Sequence, residues 1–192
     1  MKAVLISIQP YWVFLIIAQK MGWHIDKEKI IEVRKSFPKK QDWNKNAKIY
    51  CSKNEQSFRK IPKKYQPLME KFLGKVIGEF VCDRIDTYIP FEAIEIISKY
   101  EKSIPLLKES CLTLEELGVC IGKKVDKNFY GWHISDLKIY DKPKELGEFY
   151  SIPKSGSDYC IGCIYHECRT CTSERKYLYR PPQSWCYVEE LE

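Results

Sequence analysis

The chain has 192 residues, enough for one well-buried domain with a small appendage but not for two full domains. With 44% hydrophobic residues, 30% charged residues, five Trp and thirteen Tyr, the composition is that of a folded globular protein, and it excludes a disordered chain. The formal net charge of +6 is uneven, because the stretch from Lys35 to Lys75 holds twelve Lys/Arg and three Asp/Glu.

The N-terminal segment predicts a strand over 2–8 and then a buried helix. The helix begins at Pro10, a residue favoured at the first helical position, and runs to about Lys20. It is apolar nearly all round, which predicts burial in a core. Gln9-Pro10 interrupts the apolar N-terminus, no small-residue cleavage site follows, and no stretch is long enough to span a bilayer. We therefore expect no membrane association, a cytoplasmic location and reduced cysteines.

The run Lys29-Ile-Ile-Glu-Val-Arg34 combines ionic residues with a strand pattern. In an extended strand Ile31 and Val33 share one face and point into a core, while Glu32 and Arg34 project together on the other face. The carboxylate can orient either cation, a cation can bind phosphate or polarise a carbonyl, and a desolvated Lys29 can act as base or nucleophile. The competing interpretation is a surface ion pair on an edge strand.

The rest of the chain predicts short strands with inserted helices. Expected strands are 30–34, 47–51, 74–85, 129–134, 137–140 and 185–189, with 74–85 the longest, and expected helices are 90–102 and a short one that begins at 113 in a capping box. The pattern indicates an α+β protein built on a small, mostly antiparallel β-barrel. A glycine-rich phosphate loop after a strand is missing from the sequence, which disfavours P-loop and Rossmann folds.

Aromatic residues alternate with the basic residues of the cationic stretch. This pattern is typical of a surface that holds phosphates and stacks exposed bases, and equally of a lysine-rich solvated face. If the surface binds nucleic acid, the expected contacts are Lys35, Lys39, Lys40, Lys63 and Lys64.

A cysteine motif lies in a turn-rich segment near the C-terminus. Cys160-x2-Cys163-x4-Cys168-x2-Cys171 supplies four thiolates in two closely spaced pairs, which suits a structural Zn²⁺ ion. His166 could replace one cysteine as ligand, and unliganded thiols or redox pairs are the alternatives. We expect 147–180 to be a zinc-stapled insertion. The scattered cysteines are expected to be buried apolar residues: Cys51, Cys82, Cys111, Cys120 and Cys186.

Several of these segments resemble the ASCH (activating signal cointegrator homology) domains of the PUA-like superfamily, in particular those of phages and prophages. Lys29-x-x-Glu32-x-Arg34 matches the core of the ASCH motif, with Lys27 at its glycine position. The run 130–137 and the ending 180–190 follow in the expected order. The resemblance implies one PUA-like domain over 1–192 whose motif residues line a cleft for RNA or a modified nucleoside. The implied ligand-facing residues are Lys29, Glu32, Arg34 and Trp132.

Two other functions stay open. Some bacterial ASCH relatives resemble amidohydrolases that deacylate acetylcytidine. By that likeness Lys29 would be base or nucleophile and Glu32 would orient it, with Glu109 or Glu79 as the third catalytic residue. Those enzymes carry threonine at the position of Glu32. The third possibility is a phage-encoded module that binds a host protein. The oligomeric state is not predicted.

Overall fold

The computed structural model describes residues 2–38, 45–89, 105–121, 127–152 and 176–190. The strands in these ranges are β1 (Lys2–Ile8), β2 (Ile31–Arg34), β3 (Asn46–Cys51), β4 (Val76–Val81), β5 (Ile85–Tyr88), β6 (Phe129–His133), β7 (Ser135–Lys144), β8 (Phe149–Ile152), β9 (Lys176–Tyr177) and β10 (Trp185–Glu190). The α-helices are α1 (Pro10–Ile17), α2 (Glu55–Arg59), α3 (Gln66–Glu70), α4 (Pro105–Ser110) and α5 (Leu114–Ile121).

The described strands form two sheets. The large sheet has the order β7-β4-β3-β1-β10-β8-β9, and the small sheet has the order β2-β6-β5. The pair β1–β3 is parallel and the other described pairs are antiparallel, so the expected α+β class and mostly antiparallel pairing are confirmed. In the described part of the chain the sheets do not close into a barrel, which corrects the expected barrel.

The run 74–85 shows why a single strand was the wrong prediction there. Strand β4 ends at Val81 in the large sheet, and after Cys82 to Arg84 the chain enters the small sheet as β5. The consecutive polar residues Asp83 and Arg84 interrupt the alternation at this junction, and the single-strand prediction did not use that signal. The longest described strand is instead β7, with ten residues.

Strand β7 runs through Pro143, where the sequence predicted a break. Because β7 is an edge strand of the large sheet, a proline that cannot donate a hydrogen bond is tolerated there. Its pairing with β4 is irregular near Gly78, where a Cβ atom would lie 2.2 Å from the carbonyl oxygen of Lys138. The glycine therefore permits the close approach of the two strands.

The main core lies between the two sheets and α1. Helix α1 is buried as predicted, with Val13, Phe14 and Ile17 at most 2% exposed. Trp132 of β6 and Trp185 of β10 join the same core. The middle strand of the small sheet therefore contributes a side chain to the same core as the large sheet.

Helices α4 and α5 cover the other face of the small sheet. Leu106, Leu107 and Leu117 pack with Ile31 and Val33 of β2. The predicted capping box is present before α5: Glu116 donates its N–H to the hydroxyl of Thr113, and Thr113 donates its N–H to the carboxylate of Glu116, both at 3.1 Å.

Several predictions lie outside the described residues. These are the helix over 90–102, Lys39, Lys40, His166 and the four motif cysteines, Cys160, Cys163, Cys168 and Cys171. Strands β8 and β9 border 153–175 and pair with each other in the register Tyr150↔Tyr177 and Ser151↔Lys176. No helix within the described ranges is long and apolar enough to cross a membrane.

Candidate ligand-binding site

Strand β2 has the alternation that the sequence predicts. Ile31 and Val33 pack against α4 and α5, so Glu32 and Arg34 project from the opposite side of the strand. The strand is an edge of the small sheet, yet the side chains of Glu32 and Arg34 are only 8% and 13% exposed. The ionic group is therefore a buried cluster rather than a surface ion pair.

Lys29 enters this cluster from the approach to β2. Its Nζ donates to the carbonyl oxygens of Ile31 and Ser110, both at 2.8 Å, and lies 3.3 Å from Oε2 of Glu32. The ring of Trp12 lies 5.3 Å from the same nitrogen, and the lysine is 2% exposed. Three protein oxygen acceptors therefore already surround the nitrogen.

Glu32 bridges the two cations. Its Oε1 forms an ion pair with Nη2 of Arg34 at 2.9 Å, while Oε2 faces Lys29. The same Nη2 atom donates to the carbonyl oxygen of Ser7 in β1 at 2.6 Å. One carboxylate thus compensates two buried cations, which leaves a formal charge of +1, and the guanidinium joins the small sheet to the large one.

Arg34 retains hydrogen-bonding capacity that Lys29 lacks. Its Nε atom is buried and has no hydrogen-bond partner among the described residues. A buried donor without a partner costs roughly 1–3 kcal/mol, so an acceptor that reached it would gain that much in binding. Because Arg34 has the most exposed side chain of the three ionic residues, it is the one most accessible to a ligand.

Aromatic side chains surround Arg34. Tyr130 is its cross-strand neighbour, and the ring centroid of Phe37 lies 4.6 Å from that of Tyr130. Nε1 of Trp185 donates to the hydroxyl of Ser36 at 3.0 Å. Trp132 pairs with Glu32 in register but is fully buried, with its ring centroid 6.1 Å from that of Trp185. Contact between a ligand and Trp132 would require the surrounding side chains to move.

Comparison with solved structures identifies the fold. Three crystal structures of the ASCH protein from Zymomonas mobilis match over nearly the whole chain, two of them single-substitution variants. The variants match with TM-scores of 0.52 at 14% identity, covering 98% and 97% of this chain and 91% and 88% of theirs. The unsubstituted protein matches with a TM-score of 0.50 at 14% identity, covering 99% of this chain and 98% of its own. The fold is ASCH-like. Family models and curated protein sequences give no match.

The basic surface of the ASCH-like fold is only partly described. Lys35, Lys63 and Lys64 are exposed, and Nζ of Lys64 lies 4.7 Å from the ring centroid of Tyr65. Tyr65 stacks on Trp23 at 4.8 Å. Cations and aromatic rings are therefore adjacent at this surface, although these two rings already stack on each other.

Lys48 belongs to the cationic stretch but does not contribute to its surface. It is 5% exposed, and its Nζ contacts Glu79 at 3.1 Å, Glu190 at 2.6 Å and the hydroxyl of Tyr140 at 3.1 Å. Lys144 pairs with Glu190 from the other side. Burial by itself raises the pKa of Glu79, but the hydrogen bond and charge of Lys48, with hydrogen bonds from Tyr140 and Asn46, outweigh it and lower that pKa.

Neither candidate for the third catalytic residue, Glu79 or Glu109, forms an ion pair with Lys29 in the described part of the chain. Glu79 is held in the Lys48 cluster, and Glu109 contributes its carbonyl oxygen, which accepts a hydrogen bond from the N–H of Ile30 at 2.9 Å. The group that reaches Lys29 is the neighbouring carbonyl of Ser110. The arrangement therefore does not supply the three-residue set that the hydrolase likeness implies.

A cleft of about 420 Å³ opens beside the entrance to β2. Its walls include the end of α1 and the turn between β6 and β7, and Lys29 is one of its lining residues. Glu32, Arg34 and Trp132 are not among them. The four predicted ligand-facing residues adjoin one another, but they do not line this cleft together.

The described residues contain no group of three or more His, Cys, Asp or Glu that could hold a metal ion. The zinc prediction concerns residues outside those ranges, so it stays a prediction. Burial raises the pKa of the Cys51 thiol to about 12, and burial with the nearby Asp83 charge raises that of Cys82 to about 12. These two cysteines are buried apolar residues, as expected, whereas Cys111, Cys120 and Cys186 are only partly buried.

Three serines at the site escaped the sequence analysis. Ser7 and Ser110 act through their backbone carbonyls, which every residue possesses, so no side-chain pattern marks them. Ser36 could have been noticed as a polar residue just after the motif. The pairing of its hydroxyl with Trp185 depends on a contact between residues 149 positions apart.

Proposed function

We propose that this ASCH-like chain binds RNA or a modified nucleoside, with Arg34 as the residue that contacts the ligand. The observation that carries the proposal is the buried Nε–H of Arg34, which has no hydrogen-bond partner among the described residues, on a side chain that is 13% exposed and lies opposite Tyr130 in register. A nucleobase offers ring nitrogen and carbonyl acceptors at its edge and an aromatic face for stacking, which suits both features.

Lys29 and Glu32 position Arg34 for its proposed contact with the ligand. Lys29 fixes the carboxylate, and the carboxylate fixes the guanidinium, so Arg34 is held in one orientation before the ligand arrives. The three acceptors around Lys29 favour this supporting role over that of a base or nucleophile. Binding is therefore a better proposal than hydrolysis of an acylated nucleoside.

The exposed lysines extend the proposed contact beyond one base. Lys35 directly follows the motif, and Lys63 and Lys64 stand on the surface beside α3. Lys39 and Lys40 belong to the same proposed phosphate-binding surface. A phage origin and a host-protein partner are suggested by the sequence resemblance alone.

Arg34→Lys tests the ligand contact directly. The substitution keeps the positive charge beside Glu32 but removes the Nε–H, so affinity for single-stranded RNA should fall about tenfold or more, the value of a charge-assisted hydrogen bond. Arg59→Lys, at a residue whose side chain is 78% exposed, is the matched control and should bind like wild type. Fluorescence anisotropy with labelled RNA measures both. Equal affinities for the two variants would contradict the proposal.

Salt dependence tests the basic surface. The logarithm of the affinity should fall linearly with the logarithm of salt concentration, with a slope near −0.7 per phosphate contacted. Charge reversal at Lys63 and Lys64 should weaken binding to all sequences alike and flatten the slope. Reversal at Lys138 and Lys142, two exposed lysines of β7, changes the net charge equally and should have a smaller effect. If wild type binds no RNA or nucleoside at low salt while folded, the protein-interaction module becomes the better proposal.

A further inference from the structure

Two tyrosines at the edge of the large sheet are unusually exposed. Tyr177 of β9 is 44% exposed, and Tyr179, two residues later, is 84% exposed. The ring of Tyr177 packs against its cross-strand partner Tyr150 with 4.6 Å between ring centroids. Arg180 follows and is also exposed.

A single exposed apolar residue would need no explanation, because such residues are common on soluble proteins. Here two large aromatic rings and a guanidinium occur within four residues of sequence, on a chain with an excess of positive charge. Exposed aromatic faces next to cations are what single-stranded nucleic acid contacts through base stacking and phosphate pairing. An anionic, base-containing partner is thus favoured over an apolar protein surface, which Arg180 would oppose.

The tyrosines are connected to the Arg34 site by a short piece of backbone. The carbonyl of Ser184 accepts a hydrogen bond from the N–H of Ser7 at 2.9 Å, and the carbonyl of Ser7 accepts from Arg34. Ser184 comes five positions after Tyr179, so even a fully extended chain places the Cα atom of Tyr179 no farther than about 18 Å from that of Ser184. A strand of a few nucleotides can cover that distance.

We infer that Tyr177 and Tyr179 stack bases that flank the nucleotide contacted by Arg34. The ligand is then a single-stranded RNA segment of several nucleotides rather than a free nucleoside. This inference rests on the proposed function, since it assumes that Arg34 contacts one of the bases.

The experiment compares ligands of increasing length. Affinities are measured for uridine 5′-monophosphate and for oligouridylates of two, four and eight nucleotides, because base stacking tolerates any sequence. Wild type should bind the longer oligouridylates more tightly. The double substitution Tyr177→Ala/Tyr179→Ala should weaken binding of the eight-nucleotide probe by about 30-fold or more and leave binding of the monophosphate unchanged.

Two controls separate stacking from loss of structure. Tyr177→Phe/Tyr179→Phe retains both rings and should restore the affinity for the eight-nucleotide probe. Val119→Ala removes another strongly exposed apolar side chain, in α5, and should bind like wild type.

The inference and the proposed function fail in different ways. If the double alanine variant binds the eight-nucleotide probe as tightly as wild type does, the stacking inference is overturned and the Arg34 proposal stands. If wild type binds none of the probes at low salt, the proposed function fails, and the inference fails with it.

Discussion

Removal of Lys48 should destabilise the protein strongly, although the residue lies outside the proposed site. Lys48→Met keeps the methylene stem but leaves Glu79 and Glu190 without their shared cation. Loss of one partner from a fully buried ion pair costs about 3–5 kcal/mol. The carboxylate side chains are 21% and 24% exposed, and Lys144 still contacts Glu190, so the cost here should be about 2–4 kcal/mol.

Urea unfolding measures this effect as a shift of the midpoint. A loss of that size should lower the midpoint by about 1–2 M with little change in slope. Arg59→Ala removes a cation from a pair whose side chains are 78% and 84% exposed and should change the free energy of unfolding by less than about 0.5 kcal/mol. Adding Glu79→Gln to Lys48→Met should recover part of the loss, because one uncompensated carboxylate is then removed.

The stability difference should also depend on pH. In wild type the pKa of Glu79 is lowered, because the hydrogen bond and charge of Lys48, with hydrogen bonds from Tyr140 and Asn46, outweigh burial. This contribution is present above the ordinary glutamate pKa of 4.5 and is lost as the pH falls through the lower value in the folded protein. The gap between wild type and Lys48→Met should therefore narrow in acid. A loss of unfolding free energy in Lys48→Met that is no larger than that in Arg59→Ala, or that does not depend on pH, would refute the reasoning.

Three further predictions concern the metal, the backbone and the chemistry. Protein purified without chelator should contain about one zinc per chain by elemental analysis, and Cys163→Ser should lower both zinc content and stability; metal-free wild type would contradict this. Gly78→Ala should lower the free energy of unfolding by at least about 2 kcal/mol, because the new Cβ atom would meet the backbone of β7. Gly118→Ala should instead raise the free energy of unfolding by roughly 0.5–1 kcal/mol, because Gly118 lies in a helix and has open space around its Cα atom. An unchanged free energy of unfolding for Gly78→Ala would contradict the close approach of β4 and β7 at this residue. Incubation with acetylcytidine should give no deacylation, and turnover that disappears in folded Lys29→Ala would reverse the ranking of binding over hydrolysis.

Local sequence patterns predicted several elements of the fold. The period-two alternation of β2 predicted that Glu32 and Arg34 share a face, and the capping box predicted where the helix after Thr113 begins. Sheet membership was not local: Asp83 and Arg84 interrupt the alternation of 74–85, but nothing in the pattern shows that the next residues join a different sheet.

The site was harder to predict because its partners come from distant segments. Lys29 is held by a carbonyl 81 residues away, and Arg34 by one 27 residues away, and such contacts have no sequence signature. The charge count also overstated the basic surface, since Lys48 is buried in its own ion cluster. A count of charges cannot separate a buried lysine from a solvated one.

The pairing of β8 with β9 has a consequence for how this chain can vary in length. Strand β8 ends at Ile152 and the edge strand β9 begins at Lys176, and the ladder between the two strands holds these two chain ends close together. Chain-closure entropy grows only logarithmically, by about 0.6 kcal/mol for each doubling of loop length. Insertions between these strands that leave the cysteine motif intact should thus affect the stability of the sheet little. The connection between β8 and β9 can therefore hold an accessory module, because a longer segment there would not alter the register of β1, β3 or β10.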